Sequence, residues 1–266
     1  EIFINPAPID EIEFLMPFYV EKSADKSFNL EDFLFNEVVS EKVVLISDIA
    51  GHGKSTMLSK MFELLSEKSP SDWISIVNPK NFNTSRSDLN VENFTEFATQ
   101  ILLNLDALEA AIFNQKFSEG NVKILLDDFH EVSKEFIEKF KAVLEDFTSS
   151  QDSNQIFITS RKTYEQDLKA DKIVYEIEKF NKKAQTDFFT NFWKDKNPGL
   201  DADLIESCSF LMYERIDAMM KSSTKTIGLP LIIQSFANAF KDKINEAFSN
   251  MTEHLYISDV FETIFT

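Results

Sequence analysis

The stretch VVLISDIAGHGKSTMLSKM, residues 43–61, constrains this chain more than any other part of it. VVLIS is a continuous apolar run of strand length, suited to a sheet buried on both faces. Beyond Lys54, the residues Met57, Leu58, Met61, Leu64 and Leu65 recur at helical spacing. Between them lies GHGKST, so the order is strand, glycine loop, helix. Backbone N–H groups of such a loop wrap phosphate oxygens, and the helix start adds positive potential. Only 5 of the 266 residues are glycine, where average usage gives about 19. Gly51 and Gly53 therefore stand where a side chain would obstruct the approach to phosphate. Lys54 is expected to reach the β- and γ-phosphates, and Ser55 to offer a hydroxyl ligand for Mg²⁺. The residues expected to bind the nucleotide here are Ala50, Gly51, His52, Gly53, Lys54, Ser55 and Thr56. The His52 side chain is expected to point outward, as filler rather than as a ligand. Asp48 occupies the position where the G-x-x-x-x-G-K-[ST] pattern begins with glycine. Its carboxylate is expected to accept loop N–H bonds as in an Asx-turn.

The same alternation continues downstream. DWISIVN (72–78), VKILLDDF (122–129), QIFITSR (155–161) and KIVYEIE (172–178) read as four further strands. VENFTEFATQILLNL (91–105, with Asn90 as its cap), LEAAIFNQKF (108–117) and EFIEKFKAVLEDF (135–147) read as helices. Strands alternating with helices predict an α/β fold: a five-stranded parallel sheet between helices, with ligands at the carboxyl ends of the strands. After about residue 180 the strand signal stops, and three segments from Asn181 to Phe248 read as a small all-helical subdomain. The expected division is a lead-in segment over 1–35, a nucleotide-binding domain over 36–180, a helical subdomain over 181–250, and the start of a further region over 251–266. The lead-in is expected to be irregular, with an acidic helix or turn near LEDFLFNEV.

ILLDDFHE (124–131) ends a buried strand in carboxylates. Asp127 is placed to hold the Mg²⁺ shell. A hydrolytic site also needs a group to orient the attacking water; Glu131 is the first candidate and Asp128 the second. IFITSR ends another strand with Thr159, Ser160 and Arg161, and Arg161 could sense a γ-phosphate. In IGLPLI (227–232), Pro230 suits the first turn of a helix.

Composition narrows the alternatives. Hydrophobic residues make up 43% and charged residues 27%, ordinary for a globular chain. The net charge of −18 predicts no nucleic-acid partner, because nonspecific binding needs basic surface. One cysteine, Cys208, allows no intrachain disulfide and fits a cytoplasmic compartment; its apolar helical surroundings predict a buried thiol. No apolar run predicts membrane insertion. The start EIFINPAP has neither an initiator methionine nor a signal-peptide pattern, so an excised piece of a longer chain is expected. No Cys/His arrangement suggests zinc, and no Ser/His/Asp set suggests a triad hydrolase.

Taken in order, DIAGHGKST, KILLDDFHE, IFITSR and GLPL resemble the motifs of the NACHT group of P-loop NTPases. This group belongs to the signal-transduction class related to nucleotide-binding oligomerisation domains of innate immune receptors, here in an arthropod-like form. The phosphate loop resembles that family's A-G-x-G-K-[ST]-[ST], the acidic strand end its D-[GAS]-h-[DE]-E, and Gly228 with Pro230 its G-x-P, where the proline packs near adenine. EIEKFNKKAQTDFFTNFWK (176–194) resembles the segment that follows the sensor strand. The resemblance implies ATP or ADP with Mg²⁺ as cofactors and a switch that controls self-association or contacts with other domains of a larger receptor. It also implies slow hydrolysis and a winged-helix lid following the helical subdomain. Asp128 replaces the family's small residue and His130 an expected acid, so a catalytically inactive relative acting as an interaction scaffold is the alternative. A small-molecule kinase fits less well, since no arginine-rich lid follows the loop.

Overall fold

The computed structural model describes residues 19–23, 26–78, 91–150, 152–162, 172–220 and 230–241. It opens with β1 (Tyr19–Ser23), β2 (Lys26–Asn29) and α1 (Leu30–Asp32), which runs on as a π-turn over Phe33–Glu37. Then come β3 (Val43–Ser47), α2 (Lys54–Lys68) and β4 (Trp73–Val77). Next are α3 (Phe94–Glu96, continued as a π-turn Phe97–Leu102), α4 (Ala107–Ser118) and β5 (Val122–Leu126). A 3₁₀ turn over Phe129–Glu131 leads to α5 (Lys134–Ser149), β6 (Gln155–Ser160) and β7 (Ile173–Ile177). Three helices follow: α6 (Lys182–Lys196), α7 (Ala202–Met220) and α8 (Pro230–Ala239).

The sheet order is β2-β1-β7-β3-β6-β5-β4. The five strands β3 to β7 are parallel, as expected from the apolar runs, and helices flank them. Counting those five alone, the order is 5-1-4-3-2, with the first strand bonded between the fifth and the fourth. All of β3 and β6 is buried, the signature of strands covered on both faces. One expectation is corrected: residues 19–23 and 26–29 are not irregular. They form an antiparallel pair of strands, and β1 adds antiparallel to β7 through Val20 opposite Ile177. The pair was illegible because its β2 strand, KSFN, is short, polar and mostly exposed, and shows no apolar alternation. Asn90 lies outside the described residues; the cap of α3 is Asn93, whose Oδ1 accepts the Glu96 N–H at 2.9 Å.

The phenylalanines form the core beside β3–β6. Phe140 is fully buried, with ring centroids of Phe129, Phe97 and Phe136 at 5.4, 5.7 and 6.0 Å. Phe129 belongs to the 3₁₀ turn that follows the acidic strand end, so aromatic packing pins that turn.

The chain divides into two compact units. The first holds the sheet, residues 19–50 and 54–178; the second holds residues 51–53 and the helices beyond residue 179. Within the second, α6 packs on α7, the Phe189 and Trp193 rings stack at 5.3 Å, and Trp193 Nε1–H donates to the Ala237 carbonyl at 3.2 Å. Cys208 is buried there. The region expected over 251–266 lies outside the described residues. No helix among the described residues is long and apolar enough to cross a membrane.

Phe140→Ala is expected to cost about 3–5 kcal/mol of stability, whereas Leu108→Ala, at a 67% exposed site, should stay within about 0.5 kcal/mol. Urea unfolding midpoints check both.

Candidate phosphate-binding site

The loop between β3 and α2 lies at the carboxyl end of the sheet. Gly51 and Gly53 adopt φ of +81° and +80°, a conformation in which a side chain is strained. At Gly51 a Cβ would also lie 3.3 Å from the Leu231 side chain. Lys54 opens α2 and is 6% exposed. Its ammonium donates to the carbonyls of Asp48 at 3.1 Å and Ile49 at 2.8 Å. Burial pushes the Lys54 pKa down; the carboxylates of Asp48, Asp128 and Asp127 push it back up, and Arg161 acts with burial. A cation so placed is suited to a phosphate, whose charge would act in the same direction as those carboxylates.

Ala50 and Ser55 are exposed, and Thr56 is half-buried in the first turn of α2. His52 corrects an expectation: its side chain is not outward but 4% exposed. Within the helical unit, the Leu231 N–H at the start of α8 donates to the Gly51 carbonyl at 3.3 Å. Pro230 is the buried first residue of α8, as proline at a helix start requires. Gly228 lies outside the described residues.

The second group of residues comes from β5 and β6. Asp127 is 7% exposed, and its N–H extends the sheet by donating to the Val77 carbonyl at 2.9 Å. The Thr159 hydroxyl donates to Asp127 Oδ1 at 2.7 Å and accepts the Asp128 N–H at 2.9 Å. Thr159 thus holds both residues of the acidic pair, a link that the motifs do not single out. It follows from register: Leu126 pairs with Ile158, so the next residues of each strand meet. Burial raises the Asp127 pKa, opposed by the bonds from Thr159 and Ser55. A desolvated carboxylate beside the Ser55 hydroxyl fits a divalent cation, which would offset the cost of burying the charge.

Asp128 is left-handed, at φ 50° and ψ 45°. Such a position tolerates glycine, aspartate or asparagine better than bulkier residues. His130 lies between two carboxylates, with Nδ1 3.8 Å from Asp128 Oδ1 and Nε2 3.7 Å from Glu131 Oε1. Glu131 is exposed at the end of the 3₁₀ turn. Arg161, directly after β6, is exposed and near enough for its charge to act on Lys54. The first unit therefore gathers Lys54, Ser55, Asp127, Asp128 and Arg161 at one end of its sheet.

No family model matches the chain, and no curated protein matches it. Solved structures do. Domain III of the replication initiation protein DnaA from Thermotoga maritima is similar over 88% of this chain and 87% of its own, at 10% identity and a TM-score of 0.49. Cdc6p from Pyrobaculum aerophilum is similar over 88% of this chain and 64% of its own, at 15% and 0.47. Replication initiator DnaA bound to AMPPCP and single-stranded DNA is similar over 84% and 62%, also at 15% and 0.47. The chain thus spans less than two thirds of the length of the last two. Likenesses this distant assign no ligand or activity to this chain. The fold, as its own strand order and phosphate loop show, is that of a P-loop NTPase.

One expectation is withdrawn. The acidic net charge predicted no nucleic-acid partner, yet one of these similar structures is bound to single-stranded DNA. Net charge sums the whole surface, whereas contacts to a nucleic-acid backbone need basic groups only at one face, so the sum of −18 does not exclude such a partner.

Thr159→Val removes both links to the acidic pair and is expected to lower stability by about 1–3 kcal/mol, with Thr159→Ser close to wild type, read by urea unfolding midpoints. Because burial raises the Asp127 pKa, this group favours the folded state most at low pH, and that contribution is lost as pH rises through the folded-state value. Asp127→Asn should therefore hold or raise the unfolding midpoint at neutral pH, read by urea unfolding.

Proposed function

We propose that this chain binds ATP or ADP with Mg²⁺ on residues 50–56 and works as a nucleotide-dependent switch. The observation that carries this reading is the pairing of a two-glycine loop at positive φ with a buried Lys54 and a Thr159-held Asp127. Gly51 and Gly53 would let backbone N–H groups face the phosphates. Lys54 would exchange its two carbonyl partners for phosphate oxygens. Ser55 and Asp127 would hold the metal, which supplies charge neutralisation along the phosphates when bound. Pro230 would lie at the adenine.

The coarse reading is an AAA+-type P-loop NTPase. The finer one is a NACHT-type module whose ADP form is closed and whose ATP form self-associates or engages other domains of a larger receptor. Only a difference in affinity between the two forms can drive such a switch. The module would comprise a nucleotide-binding domain over 36–180 and a helical subdomain over 181–250, in a cytoplasmic protein. Glu131 would orient the attacking water, with Asp128 as second choice, and Arg161 would read the γ-phosphate. Hydrolysis would be slow, because His130 stands between the two carboxylates that would do this work. The same observation favours the second reading, an inactive relative serving as a scaffold.

Binding of labelled ADP and ATP should be lost in Lys54→Ala by about 100-fold or more, the scale of a lost charged interaction. Equal, negligible binding by wild type and variant would remove the nucleotide reading. Phosphate release above that of Glu131→Gln would favour the switch; release equal to it would favour the scaffold.

A further inference from the structure

Asp48 stands where a glycine is usual, yet its backbone has no need of one. Among the described non-glycine residues, positive φ occurs only at Asn104 and Asp128. The loop keeps glycine at the two positions that are left-handed, Gly51 and Gly53, and carries an ordinary residue at the position that is not. What the side chain gains is visible in its bonds. Asp48 is 2% exposed. Its Oδ1 accepts the Ile49 N–H at 2.7 Å, and its Oδ2 accepts the N–H of Ile177, the last residue of β7, at 3.0 Å. Its own N–H donates to the carbonyl of Ser160, the last residue of β6, at 3.1 Å. Residue 48 is thus bonded to both strands that flank β3, to one through the main chain and to the other through the carboxylate. The carbonyls of Asp48 and Ile49, the two ends of that fixed segment, are the ones that hold Lys54.

We propose that Asp48 is a positioning residue of the phosphate loop: it pins the loop's first peptide between β6 and β7, and so sets where the carbonyls of Asp48 and Ile49 present the Lys54 ammonium. The carboxylate accepts two backbone N–H bonds, which stabilise its charge where it is buried. Glycine would supply neither bond to the side chain and would loosen the segment from which Lys54 is held. The sequence pattern and the structure therefore disagree about one substitution. Restoring glycine at residue 48 improves the match to the pattern and should weaken the site.

The proposal rests on the nucleotide reading above, and the test separates the two. Labelled ADP with Mg²⁺ is titrated into wild type, Asp48→Gly and Asp48→Asn, and amide hydrogen exchange is followed at Ile49 and Ile177 in each. Asp48→Gly should bind about 10–100-fold more weakly, the scale of a lost hydrogen bond to a charged group, with faster exchange at Ile177. Asp48→Asn keeps one acceptor and the same shape, and should fall between the two. Equal or tighter binding by Asp48→Gly overturns the proposal, as does weaker binding with unchanged exchange at Ile177. If Asp48→Gly does not fold, Asp48→Asn decides: binding and Ile177 exchange equal to wild type overturn it. Absence of binding by wild type would instead remove the nucleotide reading, and faster exchange at Ile177 in Asp48→Asn would still support the pin.

Discussion

Strand β3 is hydrogen-bonded on both sides, to β6 over Val43–Ser47 and to β7 over Val44–Ile46. The loop that leaves β3 can only be as well placed as the strand itself. A parallel strand with neighbours on both edges has its N–H and C=O groups committed along its length. Its exit point is then set by two neighbours rather than by the loop. Asp48 extends that arrangement one residue past the strand by bonding to the ends of both β6 and β7. Lys54 is in turn held by the carbonyls of Asp48 and Ile49, so the position of the ammonium traces back to the sheet through three short links.

The acidic side of the site has the same logic. Parallel strands in one register end at one level, which brings Thr159 of β6 against Asp127 beyond β5. Burial makes the ionised form of Asp127 costly, and a group whose charge is costly in isolation is suited to a cation. The aromatic core supplies the remaining constraint. Phe129 is buried among Phe140 and its neighbours, so the turn carrying His130 and Glu131 cannot swing freely. Phenylalanine content, which in the sequence is only a composition, here accounts for the placement of the residues after Asp127.

Much of the fold was legible. The five runs became five parallel strands because each was long enough to span a sheet, and β3 and β6, apolar on both faces, took its buried middle. The strands Tyr19–Ser23 and Lys26–Asn29 were not legible, since short strands of this kind are held by pairing with a neighbour rather than by their own pattern. The outward His52 was an expectation from loops in general, and it failed here, where the side chain is 4% exposed.

The sequence by itself determined the local chemistry: glycines at two loop positions, a lysine and a hydroxyl at the helix start, carboxylates at a strand end, and alternating strands and helices. Spacing along the chain is enough for these, because each depends on neighbours within one turn or one strand. Only the tertiary structure decided which of them meet. That Thr159 holds Asp127, that Asp48 bonds Ile177, and that His130 stands between Asp128 and Glu131 depends on strand order and register or on a left-handed backbone. Contacts such as that between Asp48 and Ile177, 129 residues apart, arise from the order in which the strands are laid into the sheet, and no local pattern carries that order.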